Sequence, residues 1–291
     1  ILGFIMGIAR LSTNWLISRI AAAYVEIIRN TPLLLQILVW YGGVFTLLPP
    51  PRSALEFGFG AFVLNNRALQ LPAPISGELL WITGMALVAG IALTLFTAHN
   101  ARKHQEATGE RRPWGFKALL YVVAAPLAVF LLTGLPLSWE LPVLKGFNYQ
   151  GGYAVPPPFL ALLLALSIYT SAFIAEIVRA GIQSVGRGQS EAAFSLGLPA
   201  KRVLRLVVIP QAMRAIIPPL ISQYLNIVKN SSLGVAIAYP DLVAVWMQTS
   251  LNQAGRAIEI VATTMLFYMT VSLTISLLLN VYNKRVQLKE R

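Results

Sequence analysis

The sequence predicts an all-α polytopic membrane protein, and three observations carry that reading. Of its 291 residues, 56 % are hydrophobic and only 12 % are charged, about half the charge of a soluble domain. Mean hydropathy is +0.67, and several apolar runs approach the ~20 residues a helix needs to cross a bilayer. The basic residues lie between those runs, concentrated on alternate sides of them. There is no cysteine, which excludes disulfides and thiolate metal sites.

The expected elements are six complete spans preceded by a truncated one. Residues 1–9 are apolar but too few to span before Arg10, so the chain reads as starting inside a transmembrane helix whose beginning is missing. A segment of mixed polarity, 10–30, leads to a first complete span at 31–48, where Pro32 suits a helix's first turn. Residues 49–77 are rich in Pro, Gly and Asn and read as an extramembrane loop. Spans are then expected at 78–98 and 115–137, around a polar loop at 99–117. A second Pro- and Gly-rich loop, 138–158, precedes a span at 159–178. The last two spans are 216–238 and 257–281, with a tail at 283–291. No internal repeat or low-complexity tract is visible.

Charge orients these spans. With 10–30 in the cytoplasm, the same side receives Arg102, Lys103, Arg111, Arg112 and Lys117, the six basic residues from Arg179 to Arg214, and the four in the tail. That side then holds 18 of the 23 basic residues, as the positive-inside rule requires. The opposite side keeps Arg52, Arg67, Lys145 and Arg256, and Lys229 lies within a span. The net charge of +12 is therefore topology, and nucleic acid is not an expected partner.

The stretch SEAAFSLGLPAKRVLRLVVIP, 190–210, stands out in the third basic segment. Ser190 is the expected N-cap of a short helix, with Glu191 favoured by the dipole near its start. Gly197 suits the left-handed residue that ends it, and Pro199 can open the next helix. Ala192 and Ala193 leave a small-residue face that a partner surface could approach closely.

Glu191-Ala192-Ala193, three residues, Gly197, nine residues and Val207-Val208-Ile209-Pro210 resemble the EAA loop of ABC importer permeases, EAA-x3-G-x9-I-x-L-P. The departures, Val207 for Ile and Ile209 for Leu, are conservative. The stretches 29–36 (RNTPLLLQ), 175–181 (AEIVRAG) and 225–233 (LNIVKNSSL) are similar to the polar-amino-acid branch of that family. The extra pair of spans within 49–158 resembles the permeases of general L-amino-acid uptake systems.

The resemblance implies a type I ABC importer transmembrane domain (MetI-like) over 1–282, with an inserted region at 49–158 and a cytoplasmic tail at 283–291. It also implies a subunit of a bacterial inner-membrane machine. A second permease, or a copy of the same one, completes the pore. Two ATP-binding cassette subunits dock on the EAA helices, and a periplasmic binding protein delivers the amino acid. Coupling would fall to Glu191, Ala192, Ala193, Gly197 and Pro210. No G-x-x-x-x-G-K-[ST] loop is present, so ATP and Mg belong to partner subunits and this chain is expected to bind no cofactor or metal and to catalyse no reaction.

Polar groups inside spans mark a candidate path. Lysine at a span's centre costs about 2.5–3.5 kcal/mol on insertion scales. Lys229 therefore either snorkels to a surface or borders a polar path with Asn226, Asn230, Ser231 and Ser232, near a substrate or protein carboxylate. Glu176 is the acidic candidate, unless it simply pairs with Arg179 at i+3. Gln36, Tyr169, Thr170 and Ser171 are further candidates, each equally able to act as contacts between helices. Gly3-x-x-x-Gly7 could mark close helix packing. The alternative function is an ion-gradient-driven secondary transporter of a small polar solute. Inverted repeats would favour it, and it would leave the EAA loop without a role.

Overall fold

The structure, a computed structural model, describes residues 1–110, 114–135 and 137–286. Arg111 and Arg112 of the polar loop, and tail residues 287–291, lie outside the described residues. The helices run α1 (Leu2–Ala9), α2 (Trp15–Asn30), α3 (Leu33–Phe45), α4 (Leu80–Thr108), α5 (Gly115–Leu132), α6 (Pro157–Gln183), α7 (Arg187–Ser195), α8 (Ala200–Ile237), α9 (243–254) and α10 (Ala257–Val286). Five of them (α4, α5, α6, α8 and α10) are long and apolar enough to cross a membrane, and six spans result if α2 and α3 are one bent span.

That bend corrects the expected span at 31–48. By itself α3 would reach only about 20 Å at 1.5 Å per residue, short of the ~30 Å hydrocarbon core. Residues 15–30, expected as part of a connection, are helical, and α2 meets α3 at 102°. Pro32 causes the break: it forces Thr31 into an extended conformation, φ −103°, ψ 133°. The carbonyls freed at the bend are then covered by side chains. Thr31 Oγ1 donates to Ile27 O and Ile28 O, at 3.1 and 3.2 Å, and Gln36 Nε2 donates to Ile28 O at 3.0 Å. Asn14 caps the other end of α2, accepting from Leu16 N and Ile17 N at 3.0 and 3.2 Å.

One compact unit comprises Ile1–Leu48 and the chain from Pro156 onward. Its centre is α6, whose small residues Ala161, Ala165, Ala172 and Ala175 are fully buried. Helix α1 lies against α6 through Gly3 and Gly7. A Cβ on Gly3 would come within 2.8 Å of Ser171 O, and one on Gly7 within 2.6 Å of Ala175 O. The Gly-x-x-x-Gly spacing is thus a close helix contact, as membrane packing favours. On another side, Gly181 accepts α8: a Cβ there would meet Ile216 Cγ1 at 2.3 Å. Val178, Ala212 and Ile216 form the buried cluster of this junction, with Phe4 packed against it.

Helix α8 corrects the expected span at 216–238, because it starts at Ala200 and runs to Ile237. Pro210 sits inside this continuous helical stretch instead of ending a loop. A π-helical segment at Leu204–Val208 and the pair Pro218–Pro219 interrupt its regular ladder.

The second unit, Pro49–Val155, departs from the all-α expectation. Where two irregular loops were expected it carries, among the described residues, eight short strands: a four-stranded antiparallel sheet β1-β2-β3-β8 (Leu55–Phe57, Phe62–Leu64, Leu69–Leu71, Tyr153–Val155) and two antiparallel pairs. β4 (Ala73–Ser76) pairs with β5 (Leu137–Glu140), and β6 (Val143–Lys145) with β7 (Asn148–Gln150). Strands of three or four residues are too short for a two-residue alternation to show in sequence. Buried Asn65 organises the turn before β3, accepting from Arg67 N at 2.8 Å and Ala68 N at 3.1 Å. Between β4 and β5, α4 and α5 form a helical hairpin in which Gly90 abuts Tyr121 so closely that a Cβ would lie 2.0 Å from its carbonyl oxygen.

Candidate coupling loop and translocation path

The residues 184–199 join the two long helices α6 and α8, and α7 occupies most of that connection. Its N-cap is Gly186, so Ser190 lies within the helix and does not cap it. The helix begins earlier than expected because Gly186 is extended, φ −58°, ψ 135°, and its carbonyl already accepts from Gln189 N at 3.0 Å. At the other end Gly197 has φ +76°. Leu198 N donates to Ala193 O at 3.3 Å and Gly197 N to Phe194 O at 2.9 Å. These two bonds are a Schellman closure, which the left-handed glycine makes possible. Pro199 then caps the start of α8.

The exposed face of α7 differs from the small-residue face expected. Ala193 is buried against its own chain, at 5 % exposure. Glu191 and Ala192 are exposed, beside Phe194 at 50 % and Leu196 at 82 %. Two bare apolar side chains on a short helix form the more prominent feature, and the EAA pattern alone did not single them out. The loop is braced by Gln211 Nε2 of α8, which donates to Gln189 Oε1 at 3.3 Å.

Just above the loop, Glu176 of α6 is held by two arginines. It forms ion pairs with Arg10 and Arg179, and Arg179 Nε donates to both carboxylate oxygens at 3.2 Å. Arg179 Nη1 also donates to Gln183 Oε1 at 2.6 Å. The expected i+3 pair exists, and Arg10 adds a partner from the end of α1.

The other candidate path residues do not converge. Ser171 Oγ lies 2.6 Å from Tyr24 Oη, which also donates to Ile168 O at 3.2 Å. Thr170 is buried, and Tyr169 stacks at 4.9 Å on Phe173. Arg29 lies over the opposite partner of that pair, 5.2 Å from the Phe173 ring centre. Gln36 stabilises the bend between α2 and α3. Tyr24 with Ser171 thus ties α2 to α6, Gln36 holds the α2–α3 bend, and Tyr169 packs within α6.

Lys229 and Ser232 do share a space. They line an open groove of ≈ 590 Å³ between α8 and α10, opposite Thr264, Tyr268, Ser272 and Ser276. Asn226, Asn230 and Ser231 are not on its wall. The α10 residues were missed by the sequence reading, although a signal was present. They recur every four residues and therefore fall on one helix face, while Thr263, Thr270 and Thr274 lie beside them in sequence.

A bundle of apolar helices, an exposed helix between two of them and an open groove of mixed lining define the class: a multi-pass membrane protein. The family described as binding-protein-dependent transport system inner membrane component matches residues 109–288. The chain is 51 % identical over 292 residues to the putative amino-acid ABC transporter permease protein YhdX of Escherichia coli K12, covering all of this chain and 74 % of that protein. It is 50 % identical to the general L-amino acid transport system permease protein AapQ of Rhizobium johnstonii, covering all of this chain and 72 % of that protein. A solved structure titled as an amino acid ABC transporter with histidines shares the fold, with TM-score 0.55 and 23 % identity, over 98 % of this chain and 83 % of that one. The chain belongs to the binding-protein-dependent transport system inner membrane component family. It is a permease component, not an ATPase.

Proposed function

We propose that this chain is the permease subunit of an ABC importer that moves L-amino acids into the cell, coupled through α7 to separate ATPase subunits. The observation that carries the coupling role is the Schellman-closed helix α7, exposed at Glu191, Phe194 and Leu196 and joined at both ends to long membrane helices. A short helix closed in this way moves as one body, so a push on it passes directly to α6 and α8. The identity to amino-acid permeases supports the substrate class. The paired glutamine permeases and glutamate/aspartate permeases among the similar proteins support a second permease as partner. A binding protein outside and two ATPases inside complete the assembly. The charge distribution supports a cytoplasmic place for α7 and the C-terminus, and the groove between α8 and α10, with Lys229 on its wall, supports reading it as the segment of the path that this chain contributes. The motifs that resemble the family all lie outside the inserted region 49–158, which carries the hairpin α4–α5.

Reconstitution with the partner subunits in proteoliposomes tests this reading. Uptake of labelled L-amino acids that requires both ATP and the binding protein is the expected result. Uptake that ignores ATP and collapses with an ionophore would replace it by ion-coupled secondary transport.

A further inference from the structure

We propose that the β1–β2 hairpin is a lipid anchor, its tip seating phenylalanine side chains in the interfacial layer of the leaflet where α4 and α5 end. The tip, residues 57–62, reads FGFGAF and carries no charge. Phe57 and Phe62 are exposed, and Phe59 is completely bare at 110 %. Gly58, Phe59 and Gly60 have successive positive φ values of 59°, 57° and 83°. Ala61 N closes the turn by donating to Gly58 O at 3.2 Å. Glycine enters that region freely, whereas phenylalanine is strained in it. The turn therefore spends strain to hold a large apolar side chain away from every contact within its own unit, and such strain concentrates where a segment has a task.

Strand register gives the direction of the tip. β2 pairs with β3 as Val63↔Gln70 and Leu64↔Leu69, so continuing past Phe62 carries the turn alongside residues 72–74. Only Pro72 separates β3 from β4, and a proline holds itself and the residue before it in extended conformations. β4 leads through residues 77–79 into α4, and its partner β5 follows α5. The hairpin thus points along one extended run toward the ends of two helices apolar enough to cross a membrane. Only 6 % of each of those spans is buried, so their neighbour is lipid. Trp81 in the first turn of α4 and Trp139, opposite Pro74 on β5, are exposed at the same end. Aromatic and apolar side chains collect at this level of a bilayer. A protein interface carries a polar rim, and this tip has none: its nearest charge, Glu56, accepts from Tyr149 Oη at 3.0 Å.

The chain has no cysteine, so Ala61→Cys places one reporter in the tip and leaves the three phenylalanines intact. The transporter is assembled in lipid nanodiscs with cysteine-free partner subunits, and the reporter carries an environment-sensitive fluorophore. Iodide quenches from water, and phosphatidylcholine spin-labelled below its headgroup quenches from the bilayer. Leu93→Cys, exposed on the middle of α4, is the lipid reference, and Thr108→Cys, exposed at its far end, is the water reference. The Ala61→Cys reporter should be quenched by the spin-labelled lipid and be several-fold less sensitive to iodide than Thr108→Cys. Adding Phe57→Ser and Phe59→Ser, which removes only exposed side chains, should return iodide quenching to the level of the water reference. Iodide quenching equal to that of Thr108→Cys before those changes would overturn the proposal, as would a lipid signal that survives them. Shielding from iodide without quenching by the lipid would also overturn it, and would show a protein covering the tip.

Discussion

Single residues set the shape of the loop proposed to couple this chain to an ATPase. Gly197 is the clearest case, because its φ of +76° costs a β-branched residue about 1–2 kcal/mol. Gly197→Val should insert normally in the membrane yet lose substrate-stimulated ATP hydrolysis in the assembled transporter; full stimulation would show that the closure is dispensable. Ala193 invites a different reading from its neighbours. Its burial means that a large side chain there disrupts this chain itself before any partner is reached, so exposed Leu196 is the better probe. Leu196→Asp should weaken retention of the ATPase subunit on purification while leaving the permease's melting temperature within a degree or two. Glu176 acts locally as well. Glu176→Gln leaves Arg10 and Arg179 facing a neutral amide, and with side-chain exposures of 16–29 % across the three residues the discounted cost is about 1 kcal/mol. A thermal-unfolding double-mutant cycle with Arg10→Met should show positive coupling, and an additive cycle would remove the ion pair from the account of stability.

At the scale of elements, α6 is the platform on which α1 and α8 are seated, and both seats are glycines. Gly181→Leu would drive a side chain into Ile216, already 2.3 Å from a hypothetical Cβ. Overpacking of this kind costs about 1–3 kcal/mol. The variant should lower thermal stability and, by shifting α8, impair transport; wild-type values of both would mean that α8 is not registered on Gly181. The Gly-x-x-x-Gly spacing in α1 was visible beforehand, but its partner helix was not. Spacing shows that one face is narrow, and only packing shows what enters it. The bend at Thr31–Pro32 has the same character. Proline announces a break, while the 102° angle depends on Gln36 and Thr31 covering the freed carbonyls.

The whole molecule combines a helical transport core with the unit Pro49–Val155. The hairpin's connecting residues should face the cytoplasm under the charge rule. A single cysteine replacing Thr108 should then resist an impermeant thiol reagent applied to intact cells and react once the membrane is opened. Prompt labelling from outside would reverse the topology.

Much of this architecture was legible in the chain, and the illegible parts share a cause. Apolar runs, the sidedness of charge, the glycine that ends α7 and the breaking proline are local properties, written in residues close together in sequence. They determined the membrane class, the short helix between two long ones and the conformation at Gly197. Three features came only with tertiary structure: the pairing of Glu176 with Arg10, 166 residues away; the burial of Ala193 against its own chain; and the meeting of Lys229 with the hydroxyl stripe of α10. Each depends on which helix faces lie together, and that is decided by packing of side chains across the bundle, where sequence distance carries no information.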